Sequence, residues 1–263
     1  MPYPRAHYFL LIFLCLAILA FWPRYFSTLH DAPFAFHFHG VTGVLWILLL
    51  TFRSWSIHNG HRAHHRLAGK MSLLLFPPFL IGMLFVLQTL GKTVASGQDP
   101  VFKLYGAGLG AIDWLVFFAV SWLYYSALKH RKNIHIHARC MLATPLLLIN
   151  PIAGRLMEFY IPALMIKGPE DFSNFATATL FADIIALLVT LALYVSNRKM
   201  GQPFLFVACA IVLGMIGFHL VGPTDWWTQL FVCSTSWPTM VYALLGLVFG
   251  ISIIWLGWSK PKK

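Results

Sequence analysis

Eight apolar runs divide this chain and leave little between them: Tyr8–Trp22, Phe34–Phe52, Met71–Gly91, Leu104–Leu128, Ala138–Ile166, Phe175–Val195, Phe204–Val221 and Pro238–Gly257. A helix of about 20 residues crosses a hydrocarbon core of about 30 Å and pairs its own backbone polar groups on the way. The runs therefore predict an all-α polytopic transmembrane helix bundle of eight spans, forming a single integral membrane domain over residues 1–263. The first run is the shortest. Only 10% of the residues are charged and 59% are hydrophobic, against about 25% charged in a soluble domain. A mean hydropathy of +0.74 excludes an ordinary soluble enzyme.

Charge orients the bundle. With the N-terminus placed in the cytoplasm, fourteen of the 19 Lys and Arg residues fall in inner segments, from Arg5 through the 53–70 and 129–139 regions to Arg198, Lys199, Lys260, Lys262 and Lys263. Four fall outside (Arg24, Lys92, Lys103 and Lys167), and Arg155 lies within a span. The positive-inside rule then puts both termini in the cytoplasm, N-in and C-in. The net charge of +11 follows from this distribution. It calls for lipid bilayer and anionic headgroups at the cytoplasmic loops as partners, and needs no nucleic acid. Trp22-Pro23-Arg24 follows the first run without a small-residue cleavage pattern, so that run reads as a retained signal anchor. The four cysteines form no C-x-x-C pair, and disulfides and thiolate metal sites are not expected. The outer stretch Pro223–Trp237 holds Trp226, Trp227 and Trp237, which read as interfacial anchors, with a lid as the alternative.

Seven of the 12 histidines fall in two basic inner loops: His58, His61, His64 and His65 in one, His130, His135 and His137 in the other. From His61 the pattern is H-x-x-H-H. On a helix His61, His64 and His65 share a face and could converge on a metal. The string has a local resemblance to the histidine boxes of integral-membrane fatty-acid desaturases and hydroxylases, which implies two bound irons. The partner boxes of that family are absent, since the second loop offers only His130 and His135-Ile-His137. A lipid-facing loop of His, Arg and Lys reads equally well.

A second resemblance covers more of the chain. His65-Arg66-Leu-Ala-Gly69-Lys70 matches H-R-x-x-G-[RK]. His137-Ala-Arg139-Cys-Met141-Leu matches H-x-R-x-M-L, with Arg155 eighteen residues beyond the histidine. Together, with His39 upstream, these resemble an uncharacterised family of bacterial multipass membrane proteins over roughly Phe36–Leu156. The resemblance implies a bacterial cytoplasmic (inner) membrane protein and singles out His65, Gly69, His137 and Arg155. Cys140 stands where that pattern has an aromatic.

Polar groups also occur inside the spans. By linear position His37, His39, Asp113, Arg155, Glu158, Asp183 and His219 all fall in the outer half, with Gln88 and Asn150 near them. A charge near the bilayer centre costs about 2.5–3.5 kcal/mol on insertion scales, so such groups face the bundle interior and mark function. Arg155 and Glu158 lie three residues apart and are expected to pair. One arginine against three carboxylates gives a formal −2, to be met by protons, imidazolium or a bound cation. Pro77-Pro78, Pro145 and Asn150-Pro151 are expected to interrupt spans three and five.

Three function classes remain. The first is a haem- or metal-binding protein in a redox or cofactor-handling role. Its cofactor-binding candidates are His39 with His219 outside and His65 with His137 inside, for haem b. For a divalent metal they are His37, Asp113, Glu158 and Asp183, or else His61, His64 and His65. A membrane redox partner would accompany it. The second is a proton- or cation-coupled transporter using Asp113, Asp183, Arg155 and Glu158. The third is a histidine-box di-iron oxygenase. The chain has no P-loop, dinucleotide fingerprint or G-x-S-x-G elbow.

Overall fold

The computed structural model describes residues 2–259, and the lysines at 260, 262 and 263 lie outside that range. Eight helices are long and apolar enough to cross a membrane. They are built from α1 (Ala6–Phe21, continued as a π-type turn over Trp22–Phe26), α2 (Phe34–His58), α3 (Arg62–Ser96), α4 (Pro100–Lys129), α5 (Ile134–Ala143), α6 (Ile149–Tyr160), α7 (Phe172–Ser196), α8 (Gln202–Ile216), α9 (Asp225–Thr235) and α10 (Thr239–Ser259). α5 and α6 form one span joined by a 3₁₀ turn, and α9 is a short helix outside the eight.

Local chemistry sets the ends. Asp99 accepts from the backbone N–H of Val101 and Phe102 at 2.9 and 3.1 Å, with Pro100 at the first helical position of α4. Asn133 caps α5 in the same way. Gly97 closes α3 at φ 62°, a left-handed conformation that glycine adopts without a Cβ clash. At the far end of α4, Arg131 donates to the carbonyls of Leu128, Gly257 and Trp258, satisfying the last turns of both α4 and α10.

The spans alternate in direction. Pro2 and Ser259 fall on one side, called the terminal face, where Arg139 lies under the Tyr3 ring and Arg131 reaches α10. On the opposite face Arg24 meets Glu158 and Gln88 meets Trp237. α3 and α4 are the most enclosed spans. α3 packs against α2, α4, α9 and α10. The core is aromatic: Trp46, Phe76, Phe79 and Tyr124 are all at most 2% exposed. Trp46 stacks parallel on Phe79 at 5.3 Å, and Phe76 stacks on Tyr124 at 4.0 Å. Two polar tips are paired inside this core. The Trp46 indole N–H donates to Thr144 Oγ1 at 3.1 Å, and the Tyr124 hydroxyl bonds Ser72 at 3.0 Å.

Several boundaries differ from the sequence reading. The first helix reaches Phe26, so the shortest run is a full-length span of 21 residues. The fifth span runs Ile134–Tyr160 rather than to Ile166, because Pro162 cannot continue the helix and biases Ile161 to the extended conformation it adopts. α3 passes through Pro77-Pro78 unbroken, with Gly250 of α10 packed directly on Pro77. The interruption expected at Pro145 is present. The 3₁₀ turn Thr144–Leu148 separates α5 from α6, and the Thr144 hydroxyl takes the Met141 carbonyl that Pro145 cannot reach.

The tryptophan-rich outer stretch folds as α9 against α3 and α4. Phe231 occupies the space beside Gly110, and Thr235 the space beside Gly91. A Cβ on either glycine would collide. Trp227 donates to the Ala107 carbonyl at 2.8 Å, while Trp226 and Trp237 are exposed. Gln88 is part of this junction rather than of a site: it donates to the Trp237 carbonyl at 2.7 Å and accepts from Thr239 at 3.0 Å.

Candidate functional site

Two polar clusters lie at different depths. The first, in the bundle interior, is built by α2, α4 and α6. Arg155 on α6 lies within electrostatic reach of Asp113 on α4 and His39 on α2. All three are partly buried. Arg155 donates once, to the Pro151 carbonyl at 3.0 Å, and its guanidinium lies 4.5 Å over the Phe21 ring. A guanidinium has five N–H donors, so most are left over. Asp113 takes no hydrogen bond among the described residues. His39 stacks 6.2 Å from Phe79, and its Nδ1 is enclosed without a partner.

Glu158 does not pair with Arg155. Its Oε1 meets Arg24 Nη2 at 2.9 Å. Helical side chains lean toward the N-terminus of their helix. Arg155 accordingly turns inward to Pro151, while Glu158, one turn nearer the opposite face, meets an arginine that arrives from the end of α1. Two guanidinium groups against three carboxylates leave a formal −1 rather than the expected −2. Asp183 on α7 is buried and accepts from Asn150 Nδ2 at 2.6 Å, with its other oxygen unpartnered. That contact ties α7 to the first turn of α6, at the break in the fifth span.

The remaining outer-half candidates are placed elsewhere. His37 Nδ1 bonds the Tyr25 hydroxyl at 2.9 Å, joining α2 to the π-type turn of α1. His219 lies in the π-type turn that ends α8, a turn that packs on α4 and α8, whereas α2 packs on α1 and α3. Its Nε2 is enclosed and free.

The second cluster lies at the terminal face, between α2, α3 and α5. His65 Nδ1 donates to the Arg53 carbonyl at 3.0 Å. His137 Nδ1 donates to the Ala127 carbonyl at 2.8 Å, which leaves Nε2 as the acceptor for Arg53 Nη2 at 2.8 Å. Both ring nitrogens of His137 are thus occupied. The inner pair does not fit a bis-histidine haem unless Arg53 is displaced. His61 and His64 are exposed, packed against Trp55 and Phe52, while His65 turns inward to Arg53. The three imidazoles expected on one face are therefore divided between two surroundings. Among the described residues, no three His, Cys, Asp or Glu side chains converge as a metal site requires. The donor set expected from His37, Asp113, Glu158 and Asp183 is dispersed among Tyr25, Arg24 and Asn150.

The sequence reading missed the roles of Arg24 and Arg53. Both count as loop charges in the inside–outside tally, yet Arg24 reaches Glu158 and Arg53 is 8% exposed. The available signal for Arg53 was its position five residues before the end of the helix that continues to His58. No protein-family model, curated protein or solved structure matches this chain.

Proposed function

We propose that the protein is a multipass carrier that moves a small carboxylate-class anion together with a proton, with the terminal face toward the cytoplasm of a bacterial inner membrane. The observation that carries this reading is the unpaired meeting of Arg155, Asp113 and His39 in the interior. Charges buried for structure alone are paired at close range, because leaving them apart forfeits the attraction that offsets desolvation. Here the donors of Arg155 stay open, in a planar fork that suits a carboxylate. Asp113 and His39 are the groups that would gain and lose the proton. The break between α5 and α6, tied to α7 through Asn150 and Asp183, supplies a discontinuous span of the kind that flanks midplane sites in transporters. The orientation follows from the positive charge of the terminal face.

The test is flux in proteoliposomes loaded with a pH-sensitive dye. Lactate, succinate and acetate are the probes, each added with a matched chloride control. We expect one of them to drive proton entry with the wild type, no entry with Arg155→Gln, and anion binding without proton entry with Asp113→Asn. Wild-type vesicles that stay silent to all three, or flux that survives both substitutions, would sink the reading.

A haem held by His39 and His219 is the second reading, favoured by one observation: each keeps an enclosed nitrogen without a protein partner. It requires a Soret band in the purified protein that is lost in both His39→Ala and His219→Ala. A colourless preparation from haem-replete cells removes it.

A further inference from the structure

The cluster at the terminal face lacks the carboxylates that the interior cluster has. Arg53 is buried, and its one side-chain partner is the neutral His137, whose tautomer is fixed by the Ala127 carbonyl. No Asp or Glu among the described residues is available to it. The eight acidic residues are Asp31, Asp99, Asp113, Glu158, Glu170, Asp171, Asp183 and Asp225. Their helices and loops place six at the opposite face and two in mid-span. The terminal face instead carries Arg5, Arg62, Arg66, Lys70, Arg131 and Lys132 among its bases. A buried cation without a counter-charge is costly, and imidazoles at their usual pKa do not supply one.

Beside this guanidinium lies a small cavity of about 40 Å³ with a largely apolar wall, where Leu50, Met141 and Leu142 line it together with Arg53, His65 and His137. A water-sized group needs roughly 10–15 Å³ of such space, so it admits one small polyatomic head and no larger metabolite. Two polar atoms of its lining residues, Ser54 Oγ and His58 Nε2, are without partners and open onto no accessible space. His58 is oriented by its Nδ1, which bonds the Ser54 carbonyl at 2.7 Å. Arg53 donates to His137 alone among the described side chains, so the rest of its fork is unused. Gly69 lies under the guanidinium. A Cβ there would just touch it, at 3.9 Å, and a larger side chain would displace it.

We propose that this cavity is an oxyanion site for a phosphate-type group, with Arg53 as the anchor and Ser54, His58 and His65 around it. The group is supplied either by free phosphate or by the headgroup of an anionic lipid. It is separate from the interior carrier site and does not depend on it. A tetrahedral oxyanion would neutralise Arg53 and occupy its open donors.

The test uses the full chain, delipidated in detergent, with thermal unfolding as the readout. Inorganic phosphate is compared with chloride at equal ionic strength. Phosphatidylglycerol is compared with phosphatidylcholine in mixed micelles. A stabilisation by phosphate identifies a soluble anion, and one by phosphatidylglycerol alone identifies a headgroup. Either supports the site. Arg53→Lys should weaken half-saturation about tenfold or more, because it keeps the charge and loses the fork. Arg53→Met should abolish the response while unfolding no earlier than the wild type in chloride, since the uncompensated charge is gone. Lys132→Gln, which removes an exposed charge from the same face, should respond as the wild type does. Equal unfolding of the wild type in phosphate and chloride and in both lipids overturns the proposal, whatever the variants do. So does a response that persists in Arg53→Met.

Discussion

The interior cluster and the terminal-face cluster each centre on one enclosed arginine, and their surroundings differ in sign. Arg155 has Asp113 and Glu158 within reach and sits among more acid than base. Arg53 sits among three imidazoles in a half of the molecule without a carboxylate. The same side chain thus has carboxylates within electrostatic reach in one place and none in the other. An arginine in a membrane protein is therefore read from what surrounds it, since burial alone gives both the same description.

The largest expected effect comes from the aromatic core on α2, at a position midway in sequence between His39 and Arg53. Trp46→Ala should cost about 3–5 kcal/mol in detergent unfolding, from the lost indole volume. It should impair both clusters at once, and a variant that lost only one would show them to be energetically separate. Next, Asn150→Leu should cost about 1–3 kcal/mol, because it leaves a buried Asp183 oxygen without its donor. A double variant with Asp183→Leu should recover much of that loss, and unfolding of the set measures the recovery. Arg155→Met should destabilise by about 1–2 kcal/mol, because it strands Asp113. In anion-free buffer, Arg53→Met should be neutral or stabilising. If the two methionine variants shift unfolding equally and in the same direction, the contrast in sign is wrong. The smallest effect belongs to Arg131→Gln, about 1 kcal/mol or less, from three carbonyls returned to water at the terminal face.

The spans were readable because apolar length is a one-dimensional property. All eight runs became helices, and the errors fell where proline chemistry depends on neighbours. Pro77-Pro78 inside α3 is tolerated because α10 covers it. Pro162 is not, because nothing continues the helix beyond it. The candidate site was less readable. Depth along the chain put Asp113, Arg155, Asp183 and Asn150 together in the outer half. It could not say which partner each side chain turns toward. Glu158 found Arg24 across a helix boundary, and His137 found Arg53 across 84 positions of sequence. Such pairings depend on packing angles that spacing does not encode. The side chains of the H-x-x-H-H string are divided for the same reason, since His65 turns to the end of α2 while His61 and His64 stay exposed.

The α9 junction bears on the order in which the molecule is made. Gly91 and Gly110 leave slots on α3 and α4 that only Thr235 and Phe231 fill, and Tyr242 of α10 then latches to the Ser234 carbonyl at 2.8 Å. The ribosome delivers the two slotted helices well over a hundred residues before their fillers. Throughout that interval the most enclosed helices of the finished bundle carry an open seam, and the seam closes only as the last hydrophobic hairpin enters. The α3–α4 seam therefore stays open until α9 arrives, and a chain stopped before α9 would carry every polar cluster described above on a scaffold that had not yet been zipped shut.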